Sequence, residues 1–234
     1  MLMLLVVVGV VSGALIVGAV WGIWGNLGKK TEGFLVALAG GALLLSVTSE
    51  LIEPSIERSS IYYAMAGVAI GALVFIVADY LVDKKWGSDS GGGLLASITL
   101  DGIPENLALG VALIGAGPME VAALAGSILL SNLPEAAGGA KEMAKGNSSN
   151  KKVLALWTAT AFLLSGAAVA GNMLLAGVDE TVLSVIRCVA AGAVIASLAT
   201  EVFPQAYKQD RHLAGIATAI GVILAFSLGS LSGG

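Results

Sequence analysis

The sequence predicts an all-α, polytopic membrane protein with eight transmembrane helices in a three-two-three inverted-repeat arrangement and both termini extracytoplasmic. Composition, the spacing of apolar stretches and the placement of basic residues lead to that expectation. Of 234 residues, 57% are hydrophobic and 12% are charged, with a mean hydropathy of +0.92. A soluble domain carries about 25% charged residues, so this chain lacks the supply for a water-facing surface. Glycine accounts for 32 positions, which suits close helix packing in lipid. A formal net charge of -4 with no basic cluster excludes a nucleic-acid partner, whose phosphates need a basic surface. The single cysteine, Cys188, excludes an intrachain disulfide, and the single histidine, His212, excludes a histidine cluster.

Each span follows from an apolar run long enough for about 30 Å of hydrocarbon. The first runs from Met3 to Trp24; it has no basic leader and no small-residue cleavage site, and is expected to be a retained span. The next three run from Phe34 to Ile56, Ile61 to Val82 and Leu94 to Ile114. The second half supplies Met119 to Ala140, Val153 to Ala176, Thr181 to Tyr207 and His212 to Leu231. Turn residues separate them, with longer loops at Lys84 to Gly93 and Lys141 to Lys152 and tight turns near Arg58 and Gly117. No loop could hold a domain, so residues 1–234 form a single transmembrane domain.

Ten of the twelve basic residues fall in the loops after the first, third, fifth and seventh spans. They are Lys29, Lys30, Lys84, Lys85, Lys141, Lys145, Lys151, Lys152, Lys208 and Arg211. The positive-inside rule places those loops in the cytoplasm, and the expected location is the cell membrane. The lipid bilayer is the expected partner, and a second copy of the chain is a candidate one.

Carboxylates inside a span are costly and mark a partner, a cavity or a path. The fourth span holds Asp101-Gly102-Ile103-Pro104-Glu105-Asn106, which puts Asp101 and Glu105 on one face a turn apart. Pro104 lacks an N–H and clashes with the Leu100 carbonyl, so a kink that frees that oxygen is expected. Two such carboxylates repel unless a cation or proton neutralises one. The fifth span repeats the device in Ser131-Asn132-Leu133-Pro134-Glu135, with Pro134 releasing the Leu130 carbonyl. Two further spans carry a hydroxyl, a glutamate and then a proline: Ser46 to Pro54, holding Glu50 and Glu53, and Thr200-Glu201-Val202-Phe203-Pro204. Glu50, Glu53 and Glu201 are candidate pathway residues, with interfacial exposure as the rival reading. Asn172 suits an interhelical hydrogen bond or ligation. Arg187 suits a carboxylate partner inside the bundle or an outward-reaching side chain.

With these proline-glutamate elements on consecutive spans, the chain resembles the ZIP family (Zrt-, Irt-like proteins) of divalent metal transporters, its GufA-like prokaryotic branch in particular. That family's fourth helix reads His-Asn-x-Pro-Glu-Gly. Here Asp101 falls at the histidine, Gly102 at the asparagine and Asn106 at the glycine, while Pro104 and Glu105 match. In the fifth helix Ser131 falls at the histidine-or-glutamine position, and Asn132, Pro134 and Glu135 match. Asn172 is the nearest counterpart of a sixth-helix carboxylate that some members add.

The resemblance implies import of zinc, iron(II) or manganese as substrate, with no prosthetic group, through a site between the fourth and fifth helices. The ligands would be Asp101, Glu105, Asn132 and Glu135, with Ser131, Asn106 and Asn172 as secondary candidates. An oxygen-only set favours harder ions such as manganese or ferrous iron while still passing zinc. An enzyme is not expected: no phosphate-binding glycine loop is present, and Asp101 has no facing aspartate. The alternatives are a non-transporting membrane metal sensor or structural protein, and a permease for a non-metal solute.

Overall fold

In the computed structural model the described residues are 2–86, 91–116, 120–146 and 148–232, all helix or short connection. The turn expected near Gly117, the start of the fifth span at Met119, and parts of both long loops (87–90 and 147) lie outside them. The helices are α1 (Leu2–Trp24), α2 (Lys29–Val47), α3 (Glu53–Arg58), α4 (Ile61–Trp86), α5 (Gly91–Ala112) and α6 (Ala122–Lys145). They continue with α7 (Asn150–Leu175), α8 (Glu180–Ser197), α9 (Phe203–Gln209) and α10 (Arg211–Ser232).

Six of the stretches described are long and apolar enough to cross a membrane: Leu2–Trp24, Lys29–Arg58, Ile61–Lys85, Asn150–Leu175, Glu180–Gln209 and Arg211–Leu231. The protein is a multi-pass, all-α membrane protein, but it does not present the eight spans expected from sequence. The two that drop out are α5 and α6. Both are long helices, yet they spend interior positions on Asp101, Glu105 and Asn106, or on Ser127, Ser131, Asn132 and Glu135. Lys141, Glu142 and Lys145 then close α6. The eight-helix, three-two-three arrangement with both termini extracytoplasmic is therefore not matched as a whole, although six crossings, like eight, keep both termini on one face.

Burial sorts the helices. Only 22% of the apolar window is buried in α4 and in α10, against 67% in Glu180–Gln209. Thus α4 and α10 flank the bundle, with Tyr62, Leu73, Ile223 and Phe226 on their outer faces. Towards the interior, α1 packs along α6, α2 along α10 and α6, α4 along α8, and α5 along α7 and α8. The main core joins Val8, Val47, Leu51, Leu109, Leu124, Ile128 and Leu198.

Glycines set the closest crossings. A Cβ on Gly192 of α8 would lie 2.0 Å from the Val68 carbonyl oxygen of α4, and one on Gly71 would lie 1.9 Å from the Val189 carbonyl oxygen. The α2–α10 pair is built alike: Gly41 meets the Thr218 carbonyl at 2.1 Å and Gly221 the Leu38 carbonyl at 1.9 Å. Lipid gives helices no hydrophobic reason to associate, so such backbone-to-backbone contact carries the packing.

Two helices change winding at matching places. Between α2 and α3, Thr48–Ile52 forms a π-turn in which the Glu53 N–H bonds to the Thr48 carbonyl. Between α8 and α9, Leu198–Val202 does the same, with the Phe203 N–H on the Leu198 carbonyl. Pro54 and Pro204 follow at the same distance, near the start of α3 and α9. A proline cannot bond four residues back and crowds that carbonyl; the wider i→i−5 turn relieves both defects without ending the rod.

Lysine-bearing connections share one end of the bundle. Lys30 pairs with Asp210 at 3.4 Å, and the Lys141 ammonium donates to the Leu27 carbonyl. At the other end Arg58 and Arg187 both donate to Glu180 Oε1 at 2.9 Å. Arg187 thus takes the carboxylate-partner option; its side chain is only 4% exposed, while that of Glu180 is 48% exposed.

Candidate functional site

The fourth- and fifth-span motifs fold into the buried interior, as helical spacing from Asp101 to Asn106 and from Ser131 to Glu135 directs. Asp101, Glu105, Asn106, Ser131 and Asn132 are all buried, and Glu135 is partly so. Pro104 and Pro134 lie inside α5 and α6, which stay helical through them.

A cavity of about 240 Å³ opens among these helices at the lysine end. Asp101 of α5, Glu135 of α6 and Glu201 of the second π-turn line it, together with Ser97, Glu32, Glu142, Gln205 and Gln209. Among the described residues, no lysine, arginine or histidine lines it. Ser97 Oγ donates to Glu201 Oε2 at 2.7 Å, and Ser131 Oγ donates to Glu135. Asp101 Oδ1 and Glu201 Oε1 are buried with no hydrogen-bond partner among the described residues, while the Ser197 hydroxyl stands beside Asp101 and the Asp79 carboxyl beside Glu201.

Glu105 sits one turn further along α5, 4% exposed. Asn106 donates its amide to the Gly102 carbonyl at 2.9 Å, and its own Oδ1 is buried without a partner. Asn132 donates to the Val11 carbonyl of α1 at 3.0 Å. Asn172 donates to the Gly110 carbonyl at 2.9 Å, tying α7 to α5. The structure thus brings Asp101, Glu135 and Glu201 to one cavity, while Asn172 is engaged in helix packing.

The arginine end holds a separate cavity of about 610 Å³, lined by Glu50, Glu120, Glu180, Arg58 and Arg187. Glu50 and Glu53, with Glu120, also line a neighbouring groove of about 470 Å³. Glu50 Oε1 accepts from the Leu124 N–H at 3.0 Å, in the first turn of α6, where helical N–H groups lack internal partners. Its Oε2 is buried and unpartnered. Along α6 the arginine-end cavity is lined at Val121 and the lysine-end cavity at Glu135. The fully buried Leu124 and Ile128 lie between those positions, so the two cavities are separated by packed core.

The chemistry of the lysine-end cavity is one-sided. Its inward groups are carboxylates, amides and a hydroxyl, and two buried oxygens there have no hydrogen-bond partner among the described residues. Ionised carboxyls so placed repel one another unless positive charge joins them. They do not close into a finished ligand set: among the described residues, no three His, Cys, Asp or Glu side chains stand together as a metal site would need.

Sequence reasoning missed Glu32, Glu142, Ser97, Gln205 and Gln209 at this cavity, and Glu120 at the other. Glu32 follows Lys29-Lys30-Thr31 and reads as part of a solvated loop, yet it is 8% exposed. The signal that could have found it is helical phase: Glu32, Val36 and Leu43 share a buried face of α2. No protein-family model and no curated protein matches the chain, so the likeness to ZIP transporters rests on the residues of α5 and α6 alone.

Proposed function

We propose that this protein is a carrier that moves a divalent metal cation (zinc, iron(II) or manganese) across the membrane towards the cytoplasm, as its resemblance to ZIP transporters implies. One observation carries the reading. The lysine-end cavity is lined by Asp101, Glu135, Glu201 and further oxygen groups; among the described residues no basic side chain lines it, and Asp101 and Glu201 each keep a buried oxygen without a hydrogen-bond partner. A buried acceptor without a donor is costly, and a visiting cation satisfies several at once. Oxygen donors of this kind suit hard or borderline divalent ions.

In this reading a hydrated cation trades waters for the carboxylates of α5 and α6, with Glu105 and the Asn106 carbonyl oxygen deeper along the same helix. Glu50 and Glu120 form the acidic lining at the arginine end. Packed Leu124 and Ile128 prevent an open pore, so passage requires helices to shift between arrangements, as in carriers generally. Pathway acids at both π-turns place side-chain ligands where the backbone winding has slack.

The test is uptake into proteoliposomes of zinc, manganese, iron(II), cobalt, cadmium and magnesium, beside a Glu105→Ala, Glu135→Ala double variant. Uptake that the folded variant abolishes supports the path on α5 and α6, and the ion ranking reports the selectivity of an oxygen-only site. No uptake of any ion by folded wild-type protein overturns the carrier reading.

A further inference from the structure

Glu32 is a buried acid for which neither the sequence motifs nor the carrier path described above gives a role. It lies in the first turn of α2, 8% exposed. Its carboxylate faces α6 at Gly138, where a Cβ would sit 2.6 Å from Glu32 Oε1. Glycine at that position leaves the space the carboxylate occupies. The Glu32 N–H donates to the Gly28 carbonyl, while among the described residues no hydrogen bond to its carboxylate is found. The cation whose charge acts on it most, Lys141, spends its ammonium on the Leu27 carbonyl. Glu32 lines the same cavity as Asp101, which is 8% exposed with a buried, unpartnered Oδ1. A buried carboxylate without a hydrogen-bond donor is costly, and a visiting cation would add to the charge that Lys141, Lys29 and Lys145 already bring near it.

We propose that Glu32 is the release ligand for a divalent cation at the lysine end, the position that takes the ion from Asp101 and passes it to water. The proposal rests on the carrier reading and adds a site to it. The step is a ligand exchange: an oxygen of Glu32 replaces an oxygen of Asp101 on the ion, and the Gln205 and Gln209 side chains at the rim stand where waters rejoin it. No electron or proton need move. Gly138 is then a positioning residue, because its missing side chain keeps the Glu32 carboxylate turned into the cavity.

The experiment uses the full chain in proteoliposomes, with radioactive Mn²⁺ as the probe, for wild type, Glu32→Gln and Gly138→Ala. Glu32→Gln keeps the side-chain shape and removes the charge; Gly138→Ala keeps the charge and displaces it. Both are expected to lower maximal uptake, Glu32→Gln by about tenfold, with the half-saturating Mn²⁺ concentration changed less than about twofold, because the ligands met first remain. Maximal uptake at the wild-type level in either folded variant overturns the role of Glu32. So does a raised half-saturation with unchanged maximal uptake, which would place Glu32 among the capturing ligands. Absence of Mn²⁺ uptake by the wild type is a different failure and falls on the carrier reading. In that case Mn²⁺ binding to the detergent-solubilised protein decides on Glu32: equal affinity in wild type and Glu32→Gln overturns the site.

Discussion

Replacing Gly192 by alanine places a methyl group 2.0 Å from the Val68 carbonyl oxygen, 2.7 Å from its carbon and 2.8 Å from its Cα. Side-chain Cβ atoms do not approach closer than 3.0 Å, so α4 must retreat by at least 1.0 Å, the difference between 3.0 and 2.0. Backbone cannot swing aside as a side-chain end can. The retreat also opens the reciprocal approach of Gly71 to Val189, so dispersion contacts are lost along the whole crossing. Overpacking of this kind costs about 1–3 kcal/mol. Alanine also gains about 1 kcal/mol of helix propensity over glycine, which a control must cancel. Gly215 of α10 supplies it, with nothing within 4 Å of a Cβ built there. Thermal unfolding of the purified proteins in one detergent should therefore show Gly192→Ala less stable than Gly215→Ala by the full packing cost. Equal midpoints for the two variants would refute the claim that backbone contact at this glycine holds α4 to α8.

Glu180→Gln leaves Arg187, 4% exposed, without its carboxylate. Because the Glu180 side chain is 48% exposed, the loss is expected at about 1–2 kcal/mol rather than the full cost of breaking a buried pair, read by thermal unfolding. Arg187→Leu should cost less, since Glu180 keeps Arg58; the reverse order would contradict this account. Asn172→Ala should destabilise the α5–α7 contact by about 1 kcal/mol and leave cation selectivity unchanged, which ion-panel uptake would check. At the lysine end, the backbone N–H of Leu213 foremost, then Lys30 and the His212 N–H, hold the Asp210 carboxyl below its ordinary range. A depressed carboxylate contributes stability that is present above its unfolded pKa and lost as pH falls through its folded pKa. Asp210→Ala should therefore be less stable than wild type at neutral pH, with the gap closing in acid below the usual aspartate range. A gap that persists there would mean that Asp210 acts through something other than its charge.

Much of the architecture was readable before any coordinates. Missing surface charge and long apolar runs point to a helical membrane protein, and the basic connections at Lys30, Lys141 and Asp210 do meet at one end. Arg187 finds a carboxylate partner because a guanidinium in an apolar helix has few other options. The number of crossings was misread for a physical reason: α5 and α6 are as long as spanning helices, but their interior is polar, and length with moderate hydropathy does not distinguish a crossing helix from a bundle-lining one. The π-turns were half legible. In the sequence Pro54 and Pro204 only follow the pathway glutamates; a proline is relieved by a kink, a break or a wider turn, and only packing selects among them. The proximity of Asp101, Glu135 and Glu201 needed three elements brought together in space, which spacing along one helix cannot supply. Burial of Glu32 was hidden for the same reason, since its cover comes from α6 and from the end of α9, where Gly33 packs against Gln209.

The two π-turns carry a consequence for register. Each inserts one residue more per turn than an α-helix would accommodate, and each residue of an α-helix accounts for about 100° of rotation and about 1.5 Å of rise. Rewinding Thr48–Ile52 as plain α-helix with every residue kept would screw the segment that starts at Glu53 round by about that angle. Glu53 would leave the groove it now lines, and Arg58 would leave Glu180. The same rewinding at Leu198–Val202 would turn the segment that starts at Phe203, and with it Gln205 and Gln209 at the cavity rim. Each turn therefore works as a vernier: one residue of slack sets the azimuth of every side chain that follows it.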